Sequence, residues 1–347
     1  MLDPGLQRLC AALTGDEAPA PSDELIALAR AHRVDALLAQ RTRARDTLRP
    51  AAAQALSTER DVIEVCDAAH RHGVDALLLK GAALAYTHYP EPHLRPYADV
   101  DLLIRRDDLE RAAAMLAEIG YTRDVEADAE LWTGQRHYLK TSTAGPVMVD
   151  LHWRVANPLA FADALAFDEV WPRAVAVPAL GPHARTLSPA DSLLLACLHR
   201  VAHHHDRVEL LWLWDIHLLV SRMSDDELAL FASGAIHAKL GVVCARGLTL
   251  ARECFATAVP VDVLSALEAA DGEPSAAFVG ASFSPFDVAR ADMAALSSWR
   301  ARAGLAREHL FPPASYMRER YPRWPAALLP IAYVHRMLRG APRWLRR

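Results

Sequence analysis

The spacing of apolar residues changes over residues 74–155, from the helical interval to the strand interval. A short apolar run over residues 74–79 predicts a buried strand, and residues 82–89 predict a short helix after it. Acidic and apolar residues then alternate over residues 97–104, which predicts a second strand. Two later strand-like runs cover residues 137–143 and 147–153. This order of strands and helices is typical of an α/β or α+β core.

Apolar residues recur at helical spacing on both sides of this core. We expect an N-terminal helical segment at residues 1–72, the core at 73–155, and a mainly helical C-terminal domain at 156–347. Hydrophobic residues make up 52% of the 347 residues, which is enough for packed cores and excludes a disordered protein. The net charge of −5, with histidines neutral, argues against a protein built to coat nucleic acid.

Cysteine content and hydropathy indicate the cellular compartment of the protein. The five cysteines are widely spaced and form no Cys-x-x-Cys pair, so we expect buried, reduced thiols. The first residues lack a basic stretch followed by an apolar one. No apolar run approaches the roughly 18–20 residues that a membrane helix needs. The sequence therefore predicts a soluble, cytoplasmic protein.

Two carboxylates in the second predicted strand, Asp99 and Asp101, are the first candidates for chemistry. Side chains alternate along a strand, so both project from one face, about 7 Å apart along the backbone. Carboxylates this close repel each other unless a cation lies between them, and such oxygen ligands suit Mg²⁺ or Mn²⁺. Asp150, in a later strand, would complete a site for two metal ions if the two strands are neighbours. The alternative is an Asp-x-Asp pair that only caps a turn.

The first predicted strand ends in Lys80-Gly81, directly before the short helix. Backbone N–H groups at a helix N-terminus favour phosphate binding when a small residue allows close approach. Lys80 would add positive charge at this point. The alternative is an ordinary surface lysine at the end of a strand.

These features in this order resemble the polymerase-β-like nucleotidyltransferase superfamily. The segments LLLKGAAL, LRPYADVDLLI and VDLHW are similar to a poorly characterised bacterial nucleotidyltransferase family within it. The resemblance is strongest over residues 74–155 and extends more loosely through LSPADSLLLACLHRVAHH and LWLWDIHLL. It implies an α+β fold, in which a mixed sheet is flanked by the N-terminal helical segment and the larger helical domain.

The resemblance also implies an activity and its residues. Such proteins use Mg²⁺, or Mn²⁺, to transfer a nucleoside monophosphate from an NTP. By position, Asp99 and Asp101 correspond to the paired metal ligands and Asp150 to the third carboxylate. Gly81 corresponds to the glycine of the phosphate loop. The wider superfamily has Gly-Ser or Gly-Gly there, whereas this chain has Gly81-Ala82, which lacks the hydroxyl but keeps the backbone amides.

Two further side chains are expected near the carboxylates. Arg95 lies four residues before Asp99, where its guanidinium would hold the triphosphate or form an ion pair with a core acid such as Asp99. His152 is expected on the same face as Asp150, where it would orient that carboxylate, assist a proton transfer, or serve only the fold. The predicted nucleotide-binding residues are thus Lys80, Gly81, Ala82 and Arg95.

A histidine cluster at residues 199–206 ends in His205-Asp206. Such a pair superficially resembles metal-dependent phosphohydrolases, but His199 and Asp215 are too close in sequence for the separate helices of that site. We favour a polar seam between the helical domain and the catalytic cleft. Asp215 would then be the buried partner of a histidine or an arginine.

The sequence therefore predicts an enzyme, a nucleotidyltransferase that moves a nucleoside monophosphate from an NTP to a hydroxyl acceptor by a two-metal mechanism. The acceptor is left open between a small molecule, a protein and a tRNA. A nucleotide-binding scaffold that has lost turnover is the first alternative, favoured by Gly81-Ala82. A phosphohydrolase that uses the cluster at residues 199–206 is the second.

Overall fold

A computed structural model gives the architecture, and it describes all of the chain except a few positions. The residues left out are 1, 16–19, 125–133, 143–144, 157–158, 163, 271, 281–284, 313, 323 and 346–347. The strands of the described sheet are β1 (Ala76–Leu78), β2 (Asp99–Ile104), β3 (Thr122–Asp124), β4 (Gln135–Ser142), β5 (Gly145–His152), β6 (Val175–Ala176) and β7 (Arg185–Thr186).

Helices precede, interrupt and follow this sheet. Those up to the last strand are α1 (Pro4–Thr14), α2 (Asp23–Ala31), α3 (Asp35–Arg41), α4 (Arg49–Arg71), α5 (Lys80–Thr87), α6 (Leu109–Glu118) and α7 (Phe167–Val170). Those after it are α8 (Pro189–Ala202), α9 (Leu210–Val220), α10 (Asp225–His237), α11 (Gly241–Phe255), α12 (Val261–Glu268), α13 (Pro285–Ala295), α14 (Trp299–Leu310), α15 (Ala314–Arg320) and α16 (Leu329–Leu345).

The sheet is mixed, with the strand order β3-β4-β5-β2-β1-β7-β6. Strand β1 runs antiparallel to β2 and parallel to β7, while β2 runs parallel to β5. Strand β4 is antiparallel to both β3 and β5. The expected α+β fold with a mixed sheet is confirmed, and β2 and β5 are direct neighbours.

The two faces of β2 have different surroundings, because its side chains alternate. Val100, Leu102 and Ile104 belong to a hydrophobic core that includes residues of α4 and α6. Leu103, on the other face, belongs to a second core formed with the helices that precede and follow the sheet. Asp101 shares that second face, so the helical parts of the chain surround the carboxylates.

Elements outside residues 73–155 extend or cover the sheet. The sheet continues to β7, where Thr186 pairs with Leu78. Helices α1–α3 share one hydrophobic core with α8–α11. The boundaries at residues 72 and 155 stay predictions. No helix within the described ranges combines the length and the apolar character that a bilayer crossing requires.

Candidate active site

A buried cluster of potential metal ligands lies where β2 and β5 run side by side. The register places Asp101 opposite Asp150. His152 lies two residues further along β5, on the same face by alternation. One ligand atom from each of the three residues lies within 4.8 Å of the others, and all three residues are buried. The parallel pairing of the strands therefore creates a compact donor set from residues far apart in sequence.

Asp101 is held as a carboxylate by two neighbours. Its Oδ1 accepts a hydrogen bond from Lys80 Nζ at 2.8 Å and lies 2.8 Å from His152 Nε2. Burial alone would raise the pKa of Asp101, but Lys80 and His152 outweigh burial and hold that pKa well below its usual range. Asp101 therefore stays ionised at neutral pH, as a metal ligand must.

Asp150 has a partner that sequence reasoning missed. Its Oδ1 lies 2.7 Å from Nδ1 of His137, which the register of β4 and β5 places directly opposite it. No spacing rule links the two residues, because they come together only through the pairing of two antiparallel strands. The strand run at 137–143 was a usable signal, but the sequence alone does not set its register.

Asp99, the first residue of β2, shares the face of Asp101 but is not part of the 4.8 Å cluster within the described residues. Burial, followed by the charges of Asp101 and Asp150, raises the pKa of Asp99. The three carboxylates therefore repel one another, and a cation would relieve this repulsion. The metal-binding roles of Asp99, Asp101 and Asp150 stay predictions.

The turn from β1 into α5 is tightly enclosed. Lys80 adopts a left-handed conformation with φ of 45°. A Cβ on Gly81 would lie 2.6 Å from Tyr97 Cβ and 2.8 Å from Arg95 Nη1, so only glycine fits without a shift of its neighbours. Ala82 is buried next to it. This packing accounts for the glycine at position 81, and the side chain of Lys80 links the turn to Asp101.

Arg95 forms the ion pair that was one of its two expected roles, and its partner is Asp215 rather than Asp99. Its Nε and Nη2 donate to the two carboxylate oxygens of Asp215 at 2.9 and 2.7 Å. Tyr89 Oη donates to Asp215 Oδ1 at 2.8 Å, and all three side chains are buried. Burial opposes the charge, but Asp215 keeps the pKa of Arg95 above its ordinary value. The pair joins α9 to the segment that covers Gly81.

The histidine cluster borders this site. His199 lines one cavity together with Lys80, Arg95, Trp212 and Asp215. Burial, and next the charge of Lys80, lower the pKa of His203 to about 3. His199 thus lies between α9 and the Lys80-Gly81 turn, and the role of the cluster as a polar seam stays a prediction.

The phosphohydrolase alternative finds no support in this cluster. Asp206 forms ion pairs with Arg200 and Arg246, so its carboxylate serves the packing of the helices. Among the described residues, the only group of metal-ligand type is that of Asp101, Asp150 and His152.

A comparison with protein families gives evidence that is independent of the geometry of the site. A family model described as "Uncharacterised nucleotidyltransferase" matches residues 18–256. Among solved structures, an antigenic nucleotidyltransferase-like protein from Paracoccidioides brasiliensis matches 61% of this chain and 92% of its own, at 15% identity and a TM-score of 0.37. The comparison with curated proteins finds no match. The family match includes the sheet, the carboxylates and the histidine cluster.

Proposed function

We propose, since this chain belongs to the family of uncharacterised nucleotidyltransferases, that it transfers a nucleoside monophosphate from an NTP to a hydroxyl acceptor in a Mg²⁺-dependent reaction. The observation that carries this proposal is the buried cluster of Asp101, Asp150 and His152 beside the Lys80-Gly81 turn. Neither feature alone defines the chemistry, but together they supply metal ligands and a phosphate cradle at one place.

The donor set fits a divalent metal ion. Asp101 and Asp150 offer hard carboxylate oxygens. Asp99 adds a third carboxylate, whose pKa is raised by burial and then by repulsion from the other two. The nitrogen of His152 makes Mn²⁺ as suitable as Mg²⁺. We assign Asp99, Asp101 and Asp150 as the metal ligands, with His152 in support. When bound, the metal would polarise the α-phosphate and acidify the acceptor hydroxyl.

The first turn of α5 is assigned to phosphate binding. The N–H groups of Gly81 and Ala82 lie at the N-terminus of this helix, where backbone donors and the helix dipole favour an anion. Lys80 is bound to Asp101 in this structure. Once another cation neutralises Asp101, Lys80 is able to turn its ammonium group to a phosphate oxygen.

The reaction needs a base on the acceptor side. The acceptor oxygen bonds to the α-phosphorus, the bond from that phosphorus to the bridging oxygen breaks, and pyrophosphate leaves. Asp150 is assigned to accept the proton of the acceptor hydroxyl. Its hydrogen-bonded neighbour His137 keeps the carboxylate in place, 2.7 Å from the imidazole Nδ1.

We call the turn of Lys80 and Gly81 the phosphate loop. Arg95 is proposed to support this loop through its contact with Gly81. Two of its nitrogens are engaged by Asp215, and its Nη1 lies against Gly81. Any contact of Arg95 with the triphosphate would therefore be made through Nη1. Whether Arg95 supports the loop or contacts the triphosphate, the carboxylate of Asp215 orients its guanidinium.

A nucleotide-binding scaffold without turnover is the second candidate, because Ala82 supplies no hydroxyl to the phosphates.

Binding of Mn²⁺, followed by electron paramagnetic resonance, tests the metal site that transfer requires. We expect wild type to bind Mn²⁺ and Asp101→Asn and Asp150→Asn to lose most of this affinity. Exposed Asp168→Asn is the matched control and should bind like wild type. Equal Mn²⁺ binding by all variants contradicts the proposal. Release of pyrophosphate from an NTP then separates the enzyme from the scaffold.

A further inference from the structure

Five side chains at the edge of the phosphate loop take no part in the chemistry proposed above. We call them the basic rim: Arg33, His199, His203, His204 and Arg207. They come from two parts of the chain, the residues that follow α2 and the end of α8 with the turn after it.

Arg33 is tied to the segment that covers Gly81. Its Nη2 donates to the carbonyl oxygen of Pro96 at 3.4 Å. Pro96 lies between Arg95 and Tyr97, the two residues that approach Gly81 most closely. The guanidinium therefore lies beside the segment that packs on Gly81, and its side chain is 44% exposed.

Arg207 lies in the turn between α8 and α9. Its backbone N–H donates to the carbonyl oxygen of His204 at 3.0 Å, and its Nη2 donates to Glu209 Oε2 at 2.9 Å. Arg33 Nη1 lies 3.8 Å from Oε1 of the same glutamate. One buried carboxylate thus holds two guanidinium groups together, which leaves a net positive charge that faces solvent.

The histidines add hydrogen-bonding capacity between these arginines and Lys80. His204 stacks on Trp212 with ring centroids 4.0 Å apart, and its Nε2 lies 3.2 Å from Nε2 of His199. Within the described part of the chain, His199 Nδ1 and His203 Nε2 are buried and have no hydrogen-bond partner. Buried polar atoms of this kind are costly unless a ligand or a water satisfies them.

We propose that the basic rim binds the β- and γ-phosphates of the NTP and the pyrophosphate that leaves. A polyphosphate carries several negative charges and many acceptor oxygens, which suit two guanidinium groups and a set of imidazole N–H donors. Within the rim, His199 lines one cavity together with Lys80, which belongs to the phosphate loop. His204 lies next to His199 and its carbonyl oxygen accepts the backbone N–H of Arg207, and Glu209 joins Arg207 to Arg33. This inference rests on the proposed transfer function and assigns the residues that hold its leaving group.

The electrostatic environment agrees with this geometry. Burial, and next the positive charges of Lys80, Arg207 and Arg33, together lower the pKa of His204 to about 4. Three cationic side chains therefore act on one imidazole, which is the field that an incoming polyphosphate would meet.

The test uses inorganic pyrophosphate and the full chain, with Mg²⁺ present, in a calorimetric titration. Arg33→Ala and Arg207→Ala should each weaken pyrophosphate binding about tenfold, which corresponds to about 1.4 kcal/mol. Arg33→Lys and Arg207→Lys should recover part of the loss. Arg43→Ala is the matched control, because Arg43 is also exposed and shares the left-handed φ of 57° with Arg33. Arg43→Ala should bind like wild type.

A non-hydrolysable NTP analogue at saturation should abolish pyrophosphate binding, because both ligands would occupy the rim. Pyrophosphate that binds beside the analogue, or equally well to all variants, overturns the inference. A wild type that binds the analogue but no pyrophosphate overturns it as well. A wild type that binds pyrophosphate through the arginines but no analogue contradicts the transfer function, and with it the assignment of the rim to an NTP.

Discussion

Removal of the Asp215 carboxylate is the perturbation whose size follows most directly from the structure. In Asp215→Ala, the guanidinium of Arg95 stays buried without its counter-ion, and Tyr89 Oη loses its acceptor. Three hydrogen bonds to a charged acceptor are lost at once. Loss of one partner of a buried ion pair costs about 3–5 kcal/mol in total. We therefore expect the free energy of unfolding to fall by about 4 kcal/mol.

A variant without either charge separates the cost of an unpaired buried charge from the loss of the pair itself. Arg95→Met/Asp215→Leu removes both charges and fills similar volume, so it should cost much less than Asp215→Ala. Urea unfolding, followed by circular dichroism and by tryptophan fluorescence, measures the free energies. The reasoning is refuted if Asp215→Ala costs less than about 1 kcal/mol, or if the double variant is no more stable than Asp215→Ala.

Three further outcomes follow from the same structure. Gly81→Ala should lower the free energy of unfolding by about 1–3 kcal/mol, because its Cβ would overlap Tyr97, and should weaken binding of an NTP analogue in calorimetry. Burial lowers the pKa of His88 and of His309 to about 4, so each stays neutral in the fold and protonates first in the unfolded chain. Their contribution to stability is complete above pH 6.5 and falls as the pH drops towards 4. Urea unfolding at pH 7.5 and 5.5 should show a loss of about 1 kcal/mol for each histidine, and constant stability would contradict this. Asp99→Asn should stabilise the metal-free protein at pH 7 by up to about 1 kcal/mol, because it removes the carboxyl whose pKa is raised by burial and repulsion, and it should weaken Mn²⁺ binding. A destabilised Asp99→Asn would argue against repulsion among the carboxylates.

Local sequence patterns were sufficient to predict β1, β2, β4 and β5 and the carboxylates that β2 and β5 carry. The alternation over residues 97–104 predicts β2, and it places Asp99 and Asp101 on one face whatever lies beside the strand. The position of Asp150 in an apolar run predicts a strand, but not its neighbour. The pairing of Asp101 with Asp150 is a property of the assembled sheet.

The contacts that sequence reasoning missed all join distant segments. His137 meets Asp150 through the register of β4 and β5, and a shift of one residue would turn it to the other face. Asp215 was expected to pair with a histidine or an arginine, but the sequence did not identify Arg95, 120 residues away, as that partner. Strand β7 has only two residues and no alternation to reveal it. Periodicity describes each element separately, so it does not contain these tertiary pairings.

Residues 271–290 show how turn signals can conceal a helix. Their Gly, Pro and Ser content predicts a loop or linker. In the structure, α13 begins at Pro285, because proline is favourable in the first turn of a helix. The prediction of a loop is therefore wrong for residues 285–290, while residues 271 and 281–284 lie outside the described part of the chain.

Calorimetric titration with non-hydrolysable NTP analogues tests whether Asp99, Asp101 and Asp150 form a metal-dependent nucleotide site. The wild type and Asp99→Asn/Asp101→Asn are titrated with analogues of ATP, GTP, CTP and UTP, each with and without Mg²⁺. We expect at least one analogue to bind the wild type only with Mg²⁺, and this binding to be absent in the double variant although its fold is intact by circular dichroism. Binding that needs no Mg²⁺ and persists in the double variant, or no binding of any analogue to the wild type, would contradict a metal-dependent nucleotidyltransferase site at Asp99, Asp101 and Asp150.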